Sequence, residues 1–270
     1  MFTRAISQVR PLVVVDFDET ITCKDTIALL AQFAYSRKSQ SDLPPWSHFT
    51  NAYMSDYQQH KKQWQTKQDN IAKIEEKTAQ LSSMRSVELA SIDRVSNAGV
   101  FTGLRRAEIQ AGAKTDVKIR DQARNVLQSV SENLYILSVN WSKDWIIGAL
   151  EPLQIKPSAV LSNDLEFENQ VSTGKIIPKV VTASDKLTIF QDLVISSKNS
   201  YSLYVGDSET DLPCLANADV GIIFGANQSV LQSCAKLGIQ VEGIEKAKHS
   251  LSKAKGKILY QAYKWEDIAT

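Results

Sequence analysis

Four short runs of nearly unbroken apolar, β-rich residues stand out along the chain: Leu12–Val15, Leu134–Val139, Tyr201–Val205 and Val220–Phe224. A strand covered on both faces loses the alternation of a half-exposed strand, so such runs predict a parallel sheet buried between helices. Segments with helical spacing of apolar positions separate the later runs: "IRDQARNVLQSV", "SKDWIIGALEPL", "SDKLTIFQDLVISS" and "ETDLPCLANA". This alternation predicts a doubly wound, Rossmann-like α/β core.

Residues 23 to 115 follow another pattern. No proline falls between Trp46 and Glu151, and the first 98 residues hold no glycine. Stretches such as "WSHFTNAYMSDYQQHKKQW" carry helical spacing of apolar and charged residues, with "SQSDLPPWS" the clearest loop. The expected organisation is a core made of 1–22 and 116–270, with a helical cap inserted at 23–115. Such a cap is either a lid over a site or a plain helical insertion.

Composition adds mostly exclusions. With 31 basic and 30 acidic residues the net charge is +1, so nothing global points to nucleic acid or an anionic membrane. No apolar run approaches the roughly 20 residues of a membrane span. "MFTRAISQVRPLVVVDFDET" reads as a strand running into acids, not as a signal peptide. Cys23, Cys214 and Cys234 lack zinc-site spacing, and His48, His60 and His249 are scattered, so a cytoplasmic protein with plain thiols is expected. The lysine-rich "EKAKHSLSKAKGK" reads as a solvated helix face.

The acids at strand ends change the picture. In open α/β sheets ligands bind beyond the carboxyl ends of the strands. Asp16 and Asp18 follow the first valine-rich run and, two apart in an extended segment, can face one cavity, while Glu19 falls on the alternate face. Ser138 ends "YILS", Asp207 and Asp211 stand in "GDSETD" after the third run, and Lys186 opens "SDKLTIF". One lysine cannot neutralise four carboxylates, so protons or a divalent cation must compensate them. Oxygen-only ligands favour magnesium, commonly shared with substrate phosphate oxygens. Taken alone, Asp16 and Asp18 could be turn residues, Asp211 a helix N-cap, and Lys186 a surface lysine.

"DFDETIT", "LSVNWS", "SDK" and "GDSETDLPCL" resemble, in order, the four motifs of the haloacid dehalogenase-like phosphatases, with the cap placed as in the phosphoserine-phosphatase-like branch. The resemblance implies a hydrolase that passes through an aspartyl-phosphate. Asp16 would be the nucleophile and Asp18 the general acid and base. Ser138 and Lys186 would hold phosphate oxygens, with Thr20 supporting the first-motif loop and counted with Asn140 in the substrate- and phosphate-binding set. Mg2+ would be held by Asp16, Asp207 and the Asp18 backbone carbonyl, while Asp211 orients metal-bound water or Lys186.

The substrate is less determined. Asp25 is either a cap for "TIALLAQF" or a carboxylate facing the substrate. "SVNWSKDWIIGAL", "NDLEFENQVSTGKI", "VGDSETDLPCLANADVGIIFG" and "YKWEDI" resemble the thiamin monophosphate phosphatase-like domains of plants and fungi, though the cap does not. That resemblance makes thiamin monophosphate the first candidate, ahead of a phosphoamino acid, nucleotide or phosphosugar. Trp141 would either stack on the substrate or pack in the core, and Trp145 is expected in the core. At most one of the adjacent Arg105 and Arg106 can reach a pocket. Other readings are a non-catalytic phosphometabolite binder and a receiver-like signalling domain, which would need neither the cap nor this length. The expected partner is one small phosphorylated metabolite, with the chain a monomer or homodimer.

Overall fold

A computed structural model of the 270-residue chain describes residues 11–38, 43–65, 71–151, 154, 160–197, 201–249 and 256–269. Strand β1 (Leu12–Val15) leads into α1 (Ile27–Ser36), α2 (Trp46–Gln65), α3 (Ile74–Ser82), α4 (Arg85–Asn97) and α5 (Arg106–Asp116). Next come α6 (Ala123–Ser129), β2 (Leu134–Leu137), α7 (Lys143–Leu150), β3 (Val160–Leu161), and the hairpin of β4 (Asp164–Glu168) and β5 (Val171–Ile177). The chain ends with α8 (Ala183–Ser196), β6 (Ser202–Gly206), α9 (Leu212–Asn217), β7 (Val220–Phe224), α10 (Gln228–Lys236), β8 (Gln240–Gly243), β9 (Ile258–Ala262) and α11 (Trp265–Ala269).

The doubly wound sheet is present. Seven strands pair in the order β3-β2-β1-β6-β7-β9-β8, every pair parallel. The continuous valine run of β1 is explained by two cores. Val13 and Val15 pack with α6, α7 and α11 residues such as Leu127, Ile146 and Trp265. Leu12 and Val14 point the other way, toward Phe190, Leu215 and Val230 of α8, α9 and α10. Because β1 sits between β2 and β6, the strand order reverses beside it. The crevice beyond its carboxyl end is therefore the ligand position such sheets favour.

All four strand runs read from the sequence form strands, with the second ending early at Leu137 and the third running from Ser202 to Gly206. Strands β3, β8 and β9, the hairpin, α10 and α11 were not anticipated. β3 has only two residues, and β8 ("QVEG") and β4 ("DLEFE") are polar enough to hide the strand period. Of the loop "SQSDLPPWS", residues 39–42 lie outside the described residues, as do 250–255 of the lysine-rich stretch. Among the described residues no helix is long and apolar enough to cross a membrane.

Segment 23–115 is helical as expected, but its helices divide into two groups. α2, α3 and α4 contribute to the roof of a cavity above the strand ends. α5 instead lies along α7 of the core, where Asp144, 3% exposed, accepts Arg106 Nη1 at 2.5 Å and Gln110 Nε2 at 2.7 Å. Neither Arg105 nor Arg106 lines the cavity: Arg106 also stacks on Phe167, 3.7 Å from its ring centroid, and Arg105 pairs with Glu108. The hairpin joins the helical layer, Gly103 N donating to Ser172 O and Ser172 N to Leu104 O.

The α5–α7 contact requires a glycine. A Cβ at Gly148 would stand 2.2 Å from Gln110 O and 2.5 Å from Gln110 Cα, both backbone atoms that cannot turn aside. Gly148→Ala should therefore force the helices apart at a cost of about 1–3 kcal/mol. Thermal unfolding would register this as a midpoint several degrees lower, and an unchanged midpoint would contradict the close approach.

Candidate functional site

A cavity of about 710 Å³ opens beyond the carboxyl ends of β1, β2 and β6. Its floor is formed by Asp16 and Asp18 after β1, Ser138 after β2, Asp207 after β6 and Lys186 from the first turn of α8. Residues far apart in sequence meet here because three neighbouring strands end together. The segment entering α8 is fixed to the β2 end by Asn163: its Nδ2 donates to Val139 O and Val180 O, and its Oδ1 accepts Lys179 N and Val180 N.

The loop after β1 turns sharply, with Glu19 in the left-handed region at φ 57°. Two of its carbonyls find partners from distant parts of the chain. Arg120 donates to Glu19 O at 2.8 Å, and the Trp265 indole donates to Thr20 O at 3.1 Å. The terminal "YKWEDI" stretch thus braces the acidic loop. Thr20 is fully buried and does not line the cavity. Its hydroxyl donates to Asp207 Oδ1 at 2.9 Å and lies 3.4 Å from Asp16 Oδ2, so it links two acids instead of contacting phosphate.

Lys186, 1% exposed, joins Asp16 and Asp211, each carboxylate 2.7 Å from its ammonium. Asp211 also accepts the Tyr204 hydroxyl at 2.8 Å and, through Oδ2, Ser208 N and Oγ at 3.1 and 2.7 Å. Both its oxygens are occupied, so its side chain holds Lys186, one of its two expected tasks; its N-cap role makes no side-chain bond. Gly206 permits this placement, because a Cβ there would lie 2.5 Å from Asp211 Cγ.

One lysine leaves this floor with surplus negative charge. Asp16, Asp207 and Asp211 each present an oxygen within 4.8 Å of the others. Burial, with repulsion from Asp211 and Asp207, raises the Asp16 pKa despite Lys186. Burial and Asp211 push Asp207 up to about 7. Burial alone would lower the Lys186 pKa, but Asp16 and Asp211 reverse that and raise it. An all-oxygen cluster short of positive charge suits a hard divalent cation such as Mg2+, with Asp16 and Asp207 the carboxylates free to bind it.

Asp18 is held apart from this cluster. Its Oδ1 accepts Thr26 N at 2.8 Å and Thr26 Oγ1 at 2.6 Å, and its Oδ2 accepts Asn140 Nδ2 at 2.9 Å. Burial and repulsion from Asp25 push its carboxyl up to about 6, against the pull of these bonds. Its side chain is therefore no metal ligand here, which leaves only its main-chain carbonyl for that role. Asn140 needs correction as a phosphate contact, since it is fully buried and anchors Asp18. Of the two readings of Trp141 the structure favours packing in the core over stacking on substrate: 8% exposed, it packs edge-on against Trp46 and Phe101 and does not line the cavity. Trp145 lies in the core beside Phe33, as expected.

Asp25 combines both of its readings. It lines the cavity, and its Oδ1 accepts Ile27 N at 2.9 Å at the start of α1. Glu19, given no role from the sequence, stands at the cavity edge. Other residues come to light only in the fold. Tyr204, Thr26 and Ser208 orient the acids; Ser208 stands within "GDSETD", but nothing in the sequence assigns a partner to any of the three side chains. Tyr53, Tyr57, His60 and Trp64 of α2 line the cavity at spacings of four, three and four, a helical row visible in the sequence.

No family model matches the chain. Cold tolerance protein 1 of Saccharomyces cerevisiae is 28% identical over 89% of this chain and 87% of its own length. Bifunctional TH2 protein, mitochondrial, of Arabidopsis thaliana is 27% identical over 94% of this chain, which spans 48% of the plant protein. Among solved structures, a phospho-aspartyl intermediate analogue of phosphoserine phosphatase superposes with a TM-score of 0.55 at 15% identity, covering 97% of this chain and 98% of that one. The parallel sheet, its helical insertion after β1 and this superposition together give the chain the fold of the haloacid dehalogenase-like phosphatases.

Proposed function

We propose that the chain is a magnesium-dependent phosphomonoesterase acting on a small phosphorylated metabolite through an aspartyl-phosphate, with thiamin monophosphate the first candidate. The observation that carries this reading is the division of labour between two neighbouring carboxylates. Asp16 is ion-paired with a buried lysine, while Asp18 is tied back by three hydrogen bonds on the other side of the same loop. A binding site for phosphate alone has no use for such a pair.

The chemistry follows from these positions. Lys186 and Ser138 hold the phosphoryl oxygens over Asp16, and the ammonium shields Asp16 from its anionic substrate. An Asp16 oxygen attacks phosphorus as the ester P–O bond breaks, and Asp18 gives its proton to the departing oxygen. Asp18 then takes a proton from water, which attacks phosphorus, breaks the bond to Asp16 and frees inorganic phosphate. Asp16, Asp207 and the Asp18 main-chain carbonyl would hold Mg2+, which when bound supplies the positive charge that the acids and phosphoryl oxygens require. Asp211, Tyr204 and Thr20 keep Lys186, Asp16 and Asp207 in place. Helices α2, α3 and α4 act as a lid that screens the reaction from water. The three cysteines, none in a disulfide, suit a cytoplasmic enzyme. Support for the substrate is the resemblance of the core motifs to thiamin monophosphate phosphatase-like domains.

Purified protein should hydrolyse p-nitrophenyl phosphate with magnesium and stop when EDTA is added; a rate indifferent to EDTA would remove the metal. Asp16→Asn should reduce the rate to background, and retained activity would exclude Asp16 as nucleophile. Asp18→Asn should lower kcat by about 10²–10⁴ for alkyl esters. The loss should be smaller for p-nitrophenyl phosphate, whose leaving group needs little protonation. Equal losses on both esters would argue against Asp18 as the acid. Phosphate binding without turnover across a phosphometabolite panel would make the chain a binder.

A further inference from the structure

The roof of the cavity carries chemistry that the phosphoryl step does not use. Tyr53, Tyr57, His60 and Trp64 project from one side of α2 into the cavity and remain only half-buried, although rows of rings normally pack into a core. Tyr53 and Tyr57 stack with centroids 6.3 Å apart and planes inclined by 21°. Below them the roof is acidic. The Tyr53 hydroxyl donates to Glu88 Oε1 at 2.9 Å, and Asp25 lies near enough to raise the Tyr53 pKa. Glu88 has no basic partner among the described residues: it accepts the Tyr53 hydroxyl, and burial raises its pKa against the pull of that bond.

The ring row already engages one cation. Lys61 Nζ lies over Tyr57, 5.9 Å from the ring centroid. Lys77, on the roof, is spent on Glu209 at 2.7 Å. Gln80, also in the lining, has a buried side-chain oxygen that accepts no hydrogen bond among the described residues. Flat rings, two carboxylates and an unused acceptor make a surface for a group that is planar, positively charged and bears an N–H donor.

We propose that the roof formed by Tyr53, Tyr57, Glu88, Asp25 and Gln80 is the leaving-group subsite, built for a flat cationic nitrogen heterocycle esterified to the phosphate. This rests on the phosphomonoesterase reading and deepens it. The rings take the planar group, Glu88 and Asp25 offset its charge, and Gln80 accepts its N–H. A neutral or anionic alcohol of equal size gains only the ring contact and meets the two carboxylates. Selectivity therefore lies in the roof, while the floor treats all monoesters alike.

Two measurements separate this inference from the reading it rests on. The first compares thiamin monophosphate with p-nitrophenyl phosphate, one ester with a cationic heterocycle and one with a neutral ring. Wild type should favour the thiamin ester in kcat/KM. Glu88→Gln, which keeps an acceptor for Tyr53, should cut the ratio of the two kcat/KM values about tenfold, a change worth about 1.4 kcal/mol. Tyr53→Leu should also lower the ratio, and a ratio unmoved by either change overturns the subsite. The second measures thiamin itself, without phosphate, by calorimetry on wild type and Glu88→Gln. Wild type should bind and the variant bind about tenfold more weakly. Hydrolysis of p-nitrophenyl phosphate with no thiamin binding overturns the subsite alone. Thiamin binding that weakens in Glu88→Gln, with no hydrolysis of either ester, upholds the subsite and overturns the enzyme.

Discussion

The buried ammonium of Lys186 is the interaction on which the rest of the site depends. It stands 2.7 Å from both Asp16 and Asp211 with 1% of its surface exposed. Without it, two carboxylates would lie against a hydrophobic sheet with no positive charge between them, a state costing several kcal/mol per ion. Much of the surrounding structure fixes that one group. Asp185, the residue before Lys186, closes a capping box with Thr182 at the start of α8, and Asn163 ties the preceding segment to the end of β2. Gly206, Tyr204 and Ser208 place Asp211. The sheet supplies the strand ends, and these few polar contacts turn them into a site.

The lysine does not complete the charge balance. Asp207 stays at a raised pKa, and so does Asp16 despite its pairing. That residual charge is what a divalent cation would offset, and in the proposed mechanism a dianionic ester enters this floor of acids together with that positive charge. Asp18, held on the far side of the loop by Thr26 and Asn140, has its carboxyl pushed up to about 6 by burial. Floor and roof thus solve different electrostatic problems. In the proposed mechanism the floor would manage phosphate with lysine and metal, and the roof would offer acids and rings to the group that carries it.

Much of the floor was legible in the sequence because its chemistry sits at the ends of apolar runs. Asp16, Ser138 and Asp207 each follow a strand whose burial on both faces shows in its composition. Side-chain direction in the turns was not legible. Asn140 and Trp141 follow Ser138 closely, yet the turn after β2 sends Asn140 to Asp18 and Trp141 into the core between Trp46 and Phe101. Neighbours in sequence share a region, and only packing decides which of them faces a cavity. The edge strands β8 and β3 escaped because one is polar and the other has only two residues. The ring row of α2 was visible as helical spacing, but its exposure to a cavity depends on where α3 and α4 fold over the strand ends.

The central claim is that phosphorus is bonded in turn to Asp16 and to water. It is tested most directly by acid-quenching the enzyme during turnover and locating phosphoryl groups by mass spectrometry of its peptides. The account predicts an acid-stable, hydroxylamine-sensitive phosphoryl adduct on the peptide containing Asp16, absent from Asp16→Asn. Steady turnover with no adduct, or an adduct on another residue, would contradict it.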